Sequence, residues 1–235
     1  MLTIGFSTGA LALGDFNRAL SMLESSSVNA VELSALRWSE LPELINALSS
    51  LDLSHYKYIS FHAPSTDIPN ERELIKSLNQ VIDYYELNIV VHPDIIHEYS
   101  LWKQLGSYLC IENMDSRKST GRTAKELGVI FGELPDARLC FDIAHARQVD
   151  STMTEAYRIL QEFGNRLEQV HISEVNSLGK HFVISLGAKL AYKPFADIID
   201  KVPIIIESPV DKKNIESEII KVKELLSITL GQKQL

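Results

Sequence analysis

Short apolar runs that finish on a polar, metal-binding side chain recur along the whole chain. Residues 2–7, 30–33, 58–62, 88–92, 108–112, 139–142, 168–171 and 203–207 are rich in Val, Ile and Leu and do not alternate apolar with polar. That is how strands buried on both faces read. Between the runs, apolar positions return at helical spacing. Phe16, Ala19, Leu20 and Leu23 share one face of a helix that Asp15 can cap. Further helices are predicted over 41–48, 70–85, 98–105, 123–131, 152–163, 194–200 and 211–226, the last carrying Ile215, Ile219, Val222 and Leu226 on one side.

Strand and helix therefore alternate eight times. The strand-ending positions 32, 62, 92, 112, 142, 171 and 207 lie 20 to 36 residues apart, a step that suits one βα unit. Eight such units predict a single (β/α)8 barrel spanning 1–230, with 231–235 a frayed tail. An open doubly wound sheet is the competing architecture. Gly5, Gly9 and Gly14 do not form the Gly-x-Gly-x-x-Gly turn that a dinucleotide-binding sheet of that kind carries after its first strand.

Composition narrows the function classes. A net charge of -8 argues against a protein that coats nucleic acid electrostatically. Cys110 and Cys140 both fall inside apolar runs, which suits reduced, buried thiols in the cytoplasm. The apolar first 13 residues are preceded by no Lys or Arg and read as strand and turn rather than a signal peptide, and no run reaches the length of a membrane span.

The candidate chemistry sits at the strand ends. In a parallel barrel these open on one face, so residues remote in sequence converge there. Convergence would gather His62, His92, Glu112, Asp142, His145, His171 and Glu207, with His181 in the loop after the seventh strand. Five of the seven histidines are in this set, while His55 and His97 read as surface residues without a role. Imidazole and carboxylate without thiolate suits Zn²⁺, Mn²⁺ or Fe²⁺. Eight donors exceed what one ion takes, so two or three ions are expected. The loop after the fifth strand offers Arg117, Lys118 and Arg122 as a phosphate clamp. Trp38, Phe61 and Trp102 are candidate walls for a sugar.

The ordered motifs His62-Ala-Pro64, Val91-His92-Pro93, Ile111-Glu112-Asn113, Asp142-Ile-Ala-His145, His171 with Ser173 and Glu174, His181 and Glu207 resemble the xylose isomerase-like TIM-barrel superfamily. Within it the set is similar to the endonuclease IV family. The resemblance implies a first ion on His62, His92 and Glu112, a second on Glu112, Asp142, His171 and Glu207, and a third on His145 and His181. The endonuclease pattern has an Asp two residues before the last His, where this chain has Gly179. Arg37 with Trp38, after the second strand, is similar in place to the DNA-probing arginine of that family. The activity implied is metal-dependent phosphoester hydrolysis, with damaged DNA or a small phosphorylated molecule as substrate. The alternatives are a sugar or sugar phosphate isomerase or epimerase working with one metal and the pair Glu112 and Glu207, a multinuclear iron enzyme of oxidative chemistry, and a metal-binding barrel without catalysis.

Overall fold

The protein is described by a computed structural model covering residues 2–227; the tail expected at 231–235 lies outside the described residues. The first half runs β1 (Ile4–Ser7), α1 (Thr8–Ala12), α2 (Phe16–Leu23), β2 (Ala30–Ser34), α3 (Leu41–Ala47), β3 (Tyr58–His62), α4 (Glu71–Tyr85), β4 (Asn88–Val91), α5 (Tyr99–Trp102) and β5 (Leu109–Glu112). The second half runs α6 (Ala124–Glu133), β6 (Arg138–Asp142), α7 (Ile143–Val149), α8 (Thr154–Phe163), β7 (Leu167–Ile172), β8 (Glu174–Val175), β9 (His181–Phe182), α9 (Leu186–Tyr192), α10 (Ala196–Ile199), β10 (Ile204–Ile206) and α11 (Ile215–Ser227).

Eight of these strands form a closed parallel barrel in the order β1-β10-β7-β6-β5-β4-β3-β2, while β8 and β9 make a small antiparallel hairpin outside it. The architecture is the (β/α)8 barrel, not the open sheet. Helices cover the outside because each strand is apolar on both faces and needs a second layer. The longest internal helix, α4, shows how. Asn70 accepts from the Arg72 amide at its start, Leu74, Ile75, Leu78 and Val81 face inward, and Glu86 ends it in the left-handed region at φ 53°. Gly5 stands where β1 and β2 approach most closely, since a Cβ there would lie 2.0 Å from the Ala30 carbonyl oxygen.

The departures from expectation are local. The helix predicted over 98–105 is α-helical only over Tyr99–Trp102 and runs on as a 3-10 helix that kinks at Gly106, which takes φ 55°. Three short helices were not predicted: α1, which falls where a turn was expected, α7, which Asp142 caps, and α9, which Ser185 caps. The last two owe more to their caps and to tertiary packing than to periodicity. Among the described residues no helix is long and apolar enough to cross a membrane.

The barrel interior is layered by register. Ser34 pairs with His62 and Asp142 with His171 at the C-terminal ends, while Glu32 pairs with Ser60 and Cys140 with Gln169 one layer below. That lower layer is polar and fully buried. Tyr58 donates to Gln169 Oε1 at 2.7 Å, Gln169 Nε2 donates to Glu32 Oε2 at 2.7 Å, and Ser60 donates to the same oxygen at 3.1 Å.

Candidate metal centre

Glu112, 1% exposed at the end of β5, is the middle of the site. Its two oxygens face different partners. Oε2 lies 3.3 Å from His62 Nε2 and 3.1 Å from His92 Nε2, whereas Oε1 lies 3.4 Å from His171 Nδ1 and 3.3 Å from His145 Nδ1. Ligand atoms of His62, His92 and Glu112 fall within 4.8 Å of one another, and so do those of Glu112, Asp142, His171 and Glu207. The first two ligand groups named from sequence are therefore brought together, sharing one carboxylate.

Neighbouring groups aim the donors. His62 gives its Nδ1 proton to the Ala63 carbonyl at 2.9 Å, which turns Nε2 toward Glu112, where it can offer a lone pair to an ion once its own proton has left. His171 Nε2 lies 3.0 Å from Glu32 Oε2; with its proton there, Nδ1 faces the centre. Asn113 clamps the tips of β5 and β6 together, donating to the Asp142 carbonyl and accepting from the Asp142 amide, each at 2.8 Å. Asp142 Oδ1 caps α7 by accepting from the His145 amide at 2.7 Å. Its Oδ2 is buried without a hydrogen-bond partner, as is His92 Nδ1. The His145 Nδ1 proton goes instead to the Asn113 carbonyl at 3.0 Å. Buried carboxylate and imidazole atoms of this kind, gathered at one place, fit divalent ions of the Zn²⁺ or Mn²⁺ type.

Without an ion, protons on the imidazoles offset the buried carboxylates. Burial opposes charge on His62, but Glu112 and Glu32 outweigh it and push it up to about 9. Burial opposes charge on His145 as well, yet Asp142 and Glu112 push it up to about 10. Burial is also the main cause that lifts Glu207 to about 8, against the pull of His171. For Glu112 the pull of His92 and His171 defeats burial and holds the carboxyl well below the usual range.

A pH dependence follows. Histidines raised above the ordinary 6.5 favour the metal-free fold below that value and lose this contribution as pH rises through about 9 to 10. Glu207, raised above 4.5, acts in the same direction up to about 8. Chelator-treated protein should thus melt at lower temperature as pH is raised from 6.5 to 10. Ion affinity should climb over the same window as protons leave the ligands. Thermal melts with and without Zn²⁺ check this; a metal-free protein that gains stability over the window would contradict it.

The remaining predicted residues divide. Arg117, Lys118, His145 and His181 line a cavity of about 330 Å³ with His62, His92, Glu112 and Glu207. Arg122 does not. It pairs with Glu126 at 2.6 Å on the first turn of α6. Arg37, its side chain 56% exposed, pairs with Glu40 at 2.8 Å, and neither it nor the half-buried Trp38 lines the cavity. Phe61 and Trp102 are fully buried in the core. No third group of three or more ligands is found among the described residues; His145 and His181 stand with ring centroids 5.4 Å apart, each beside a carboxylate of the second group.

Sequence reasoning missed Glu32 and Gln169 behind His171, and Asp115 and Lys180 at the cavity. Glu32 was visible in the strand-end series, but β2 continues two residues past it, which drops it one layer below the ligands. Gly9, Ala10, Leu13, Leu36, Met114 and Pro209 supply an apolar wall opposite the charged groups.

Comparison with known proteins agrees with the fold. A search of curated proteins finds no match. Among solved structures, a xylose isomerase domain protein from Alicyclobacillus acidocaldarius shares 11% identity over 97% of this chain and 100% of its own, with a TM-score of 0.66. An AP endonuclease of family 2 from Brucella melitensis shares 12% identity over 99% of each chain, TM-score 0.58. A 3-keto-D-glucoside 4-epimerase from E. coli shares 11% identity over 95% of this chain and 100% of its own, TM-score 0.55. Likeness at this identity speaks for the fold alone. The family model described as xylose isomerase-like TIM barrel matches residues 39–226, and with the closed eight-stranded barrel and the strand-end ligands already in view, the chain belongs to that family.

Proposed function

We propose that this protein is a two-ion metalloenzyme that hydrolyses the phosphoester of a small molecule. The observation that carries the reading is the division of Glu112, one oxygen to each ligand group. Two divalent ions held there would supply Lewis acidity toward phosphoryl oxygens and lower the pKa of attacking water. The protein's part is to hold its donors deprotonated and in place through Ala63, Glu32 and Asn113, and to orient the substrate with the cations of the cavity wall. Small size is favoured because the cavity, about 330 Å³, is at the lower end of small-ligand sites. Damaged DNA is disfavoured as substrate, since Arg37 and Arg122 are each held by a carboxylate away from the cavity and the chain carries a net charge of -8.

A second reading keeps one specific support. Glu112, Asp142, His171 and Glu207 form a complete ligand group by themselves. One ion there, with Glu112 and Glu207 as proton carriers, would suit sugar isomerisation or epimerisation. That reading leaves His62 and His92 idle. The test is to load chelator-stripped protein with Zn²⁺ or Mn²⁺, count ions by mass spectrometry, and assay bis(p-nitrophenyl) phosphate, sugar phosphates and abasic-site DNA side by side. Two equivalents with phosphate ester cleavage of the small substrates is the expected result. One equivalent with sugar interconversion and no ester cleavage replaces it by the second reading.

A further inference from the structure

The third ion that the resemblance implies does not fit this chain, and what stands in its place is a side chain. His145 and His181 would be its imidazole ligands; the carboxylates nearest them, Glu112 and Asp142 beside His145 and Glu207 beside His181, already belong to the two ligand groups, and the next is Asp115, with Oδ2 4.0 Å from His145 Nε2. Both oxygens of Asp115 are already engaged by one residue. Arg117 donates to Oδ1 from its amide at 2.8 Å and from Nε at 2.9 Å, and to Oδ2 from Nη2 at 2.7 Å. Asp115 is 1% exposed, so this bidentate pair is anchored rather than fluid. Position 179 offers no replacement carboxylate. It is glycine at φ +66°, and a Cβ there would lie 1.9 Å from the Arg117 Cζ. The guanidinium is packed against the Gly179 backbone, donating from Nη2 to its carbonyl at 3.3 Å.

We infer that Arg117 takes the place of a third metal ion, so that the centre stops at two ions and carries a fixed, pH-independent cation where the third would be. The inference rests on the two-ion reading above and deepens it. Outside the carboxylates that the two ligand groups already use, a third dication would have only His145 and His181, both uncharged as ligands, and would sit beside a guanidinium that repels it. Glycine at 179 and arginine at 117 go together, since a Cβ at 179 would make the half-exposed Arg117 side chain shift from its present place. With Nε and Nη2 committed to Asp115 and Gly179, Nη1 is the donor left for a ligand in the cavity that Arg117 lines. The ligand chemistry it suits is an oxyanion such as a phosphoryl group. Of the other cavity cations, Lys118 is held by Asp94 at 2.7 Å, whereas Lys180 lies on the turn of the β8 and β9 hairpin and reinforces the same wall.

Ion counting tests this directly. Zinc-dialysed wild type should hold two equivalents by mass spectrometry, Gly179→Asp alone no more than two, and the double variant Arg117→Ala with Gly179→Asp a third. Asp tolerates the left-handed region better than most residues, so the double variant is a fair test of folding as well. Three equivalents in the wild type, or no gain in a folded double variant, overturns the inference. Fewer than two in the wild type instead overturns the two-ion reading on which it rests. In parallel, inorganic phosphate titrated calorimetrically into zinc-loaded protein should bind on the order of 10-fold to 100-fold more weakly to Arg117→Gln, the usual consequence of losing a hydrogen bond to a charged group. Arg117→Lys, which keeps Asp115 paired, should fall between. Phosphate affinity unchanged in both folded variants removes the anion-binding role.

Discussion

Glu112→Gln should strip the protein of ions and of turnover while leaving the barrel folded. The substitution keeps the size of the side chain but removes the charge that both ligand groups share, and it points amide hydrogens at imidazole nitrogens that must present lone pairs. Loss of an outer group behind a ligand already costs about 10-fold to 100-fold in affinity or activity, and in the proposed centre Glu112 would be the inner group for both ions, so the loss should exceed that range. Because the carboxylate faces a cavity rather than the apolar packing between strands and helices, circular dichroism should be unchanged. Ion content by mass spectrometry and turnover under saturating metal are the measurements. A variant that keeps both ions and works at the wild-type rate would mean that the centre lies elsewhere.

Glu32→Ala is expected to be the most damaging change that touches no proposed ligand atom of either ion. Three buried donors converge on Glu32 Oε2: His171 Nε2 at 3.0 Å, Gln169 Nε2 at 2.7 Å and Ser60 Oγ at 3.1 Å. Burial works against ionising Glu32, but His171 and His62 outweigh it and hold the carboxyl below its usual value. Removing it leaves a buried donor set uncompensated, a loss of about 3–5 kcal/mol for one partner of a buried pair. In a chain of this size that is roughly 6–20 °C of melting temperature. Glu32→Gln separates stability from positioning. It fills the same space, yet its amide accepts less strongly from His171, so ion affinity should fall by about 10-fold to 100-fold with a much smaller change in melting. Competition with a chelator gives the affinity and calorimetry the melting. An unchanged affinity in the glutamine variant would show that Glu32 packs the barrel without orienting His171.

The strand-end series could be read so far because parallel strands in a closed barrel impose a rule on sequence: a two-faced apolar run must end where the chain turns back, and what stands there faces the cavity. His62, Glu112, Asp142 and His171 obey it at the ends of β3, β5, β6 and β7. The rule fails one layer down. Glu32 and Gln169 lie on the same strands as cavity residues, and only the register between neighbours tells them apart. Loop cations fail it differently. Arg117, Lys118 and Arg122 look equivalent along the chain, but Arg122 is drawn to Glu126 four residues on, at helix spacing, while Asp115 draws Arg117 to the cavity.

Taken alone, the sequence determined the barrel, the order of its units and the identity of the inward-facing donors, since these follow from periodicity and from where apolar runs stop. Only the tertiary structure decided which oxygen of Glu112 faces which histidine, that Glu32 stands behind His171, and that a guanidinium lies against Gly179. Those are contacts between residues 59, 139 and 62 positions apart, and distance in space between such residues is set by strand register and loop packing, which leave no periodic trace in the chain.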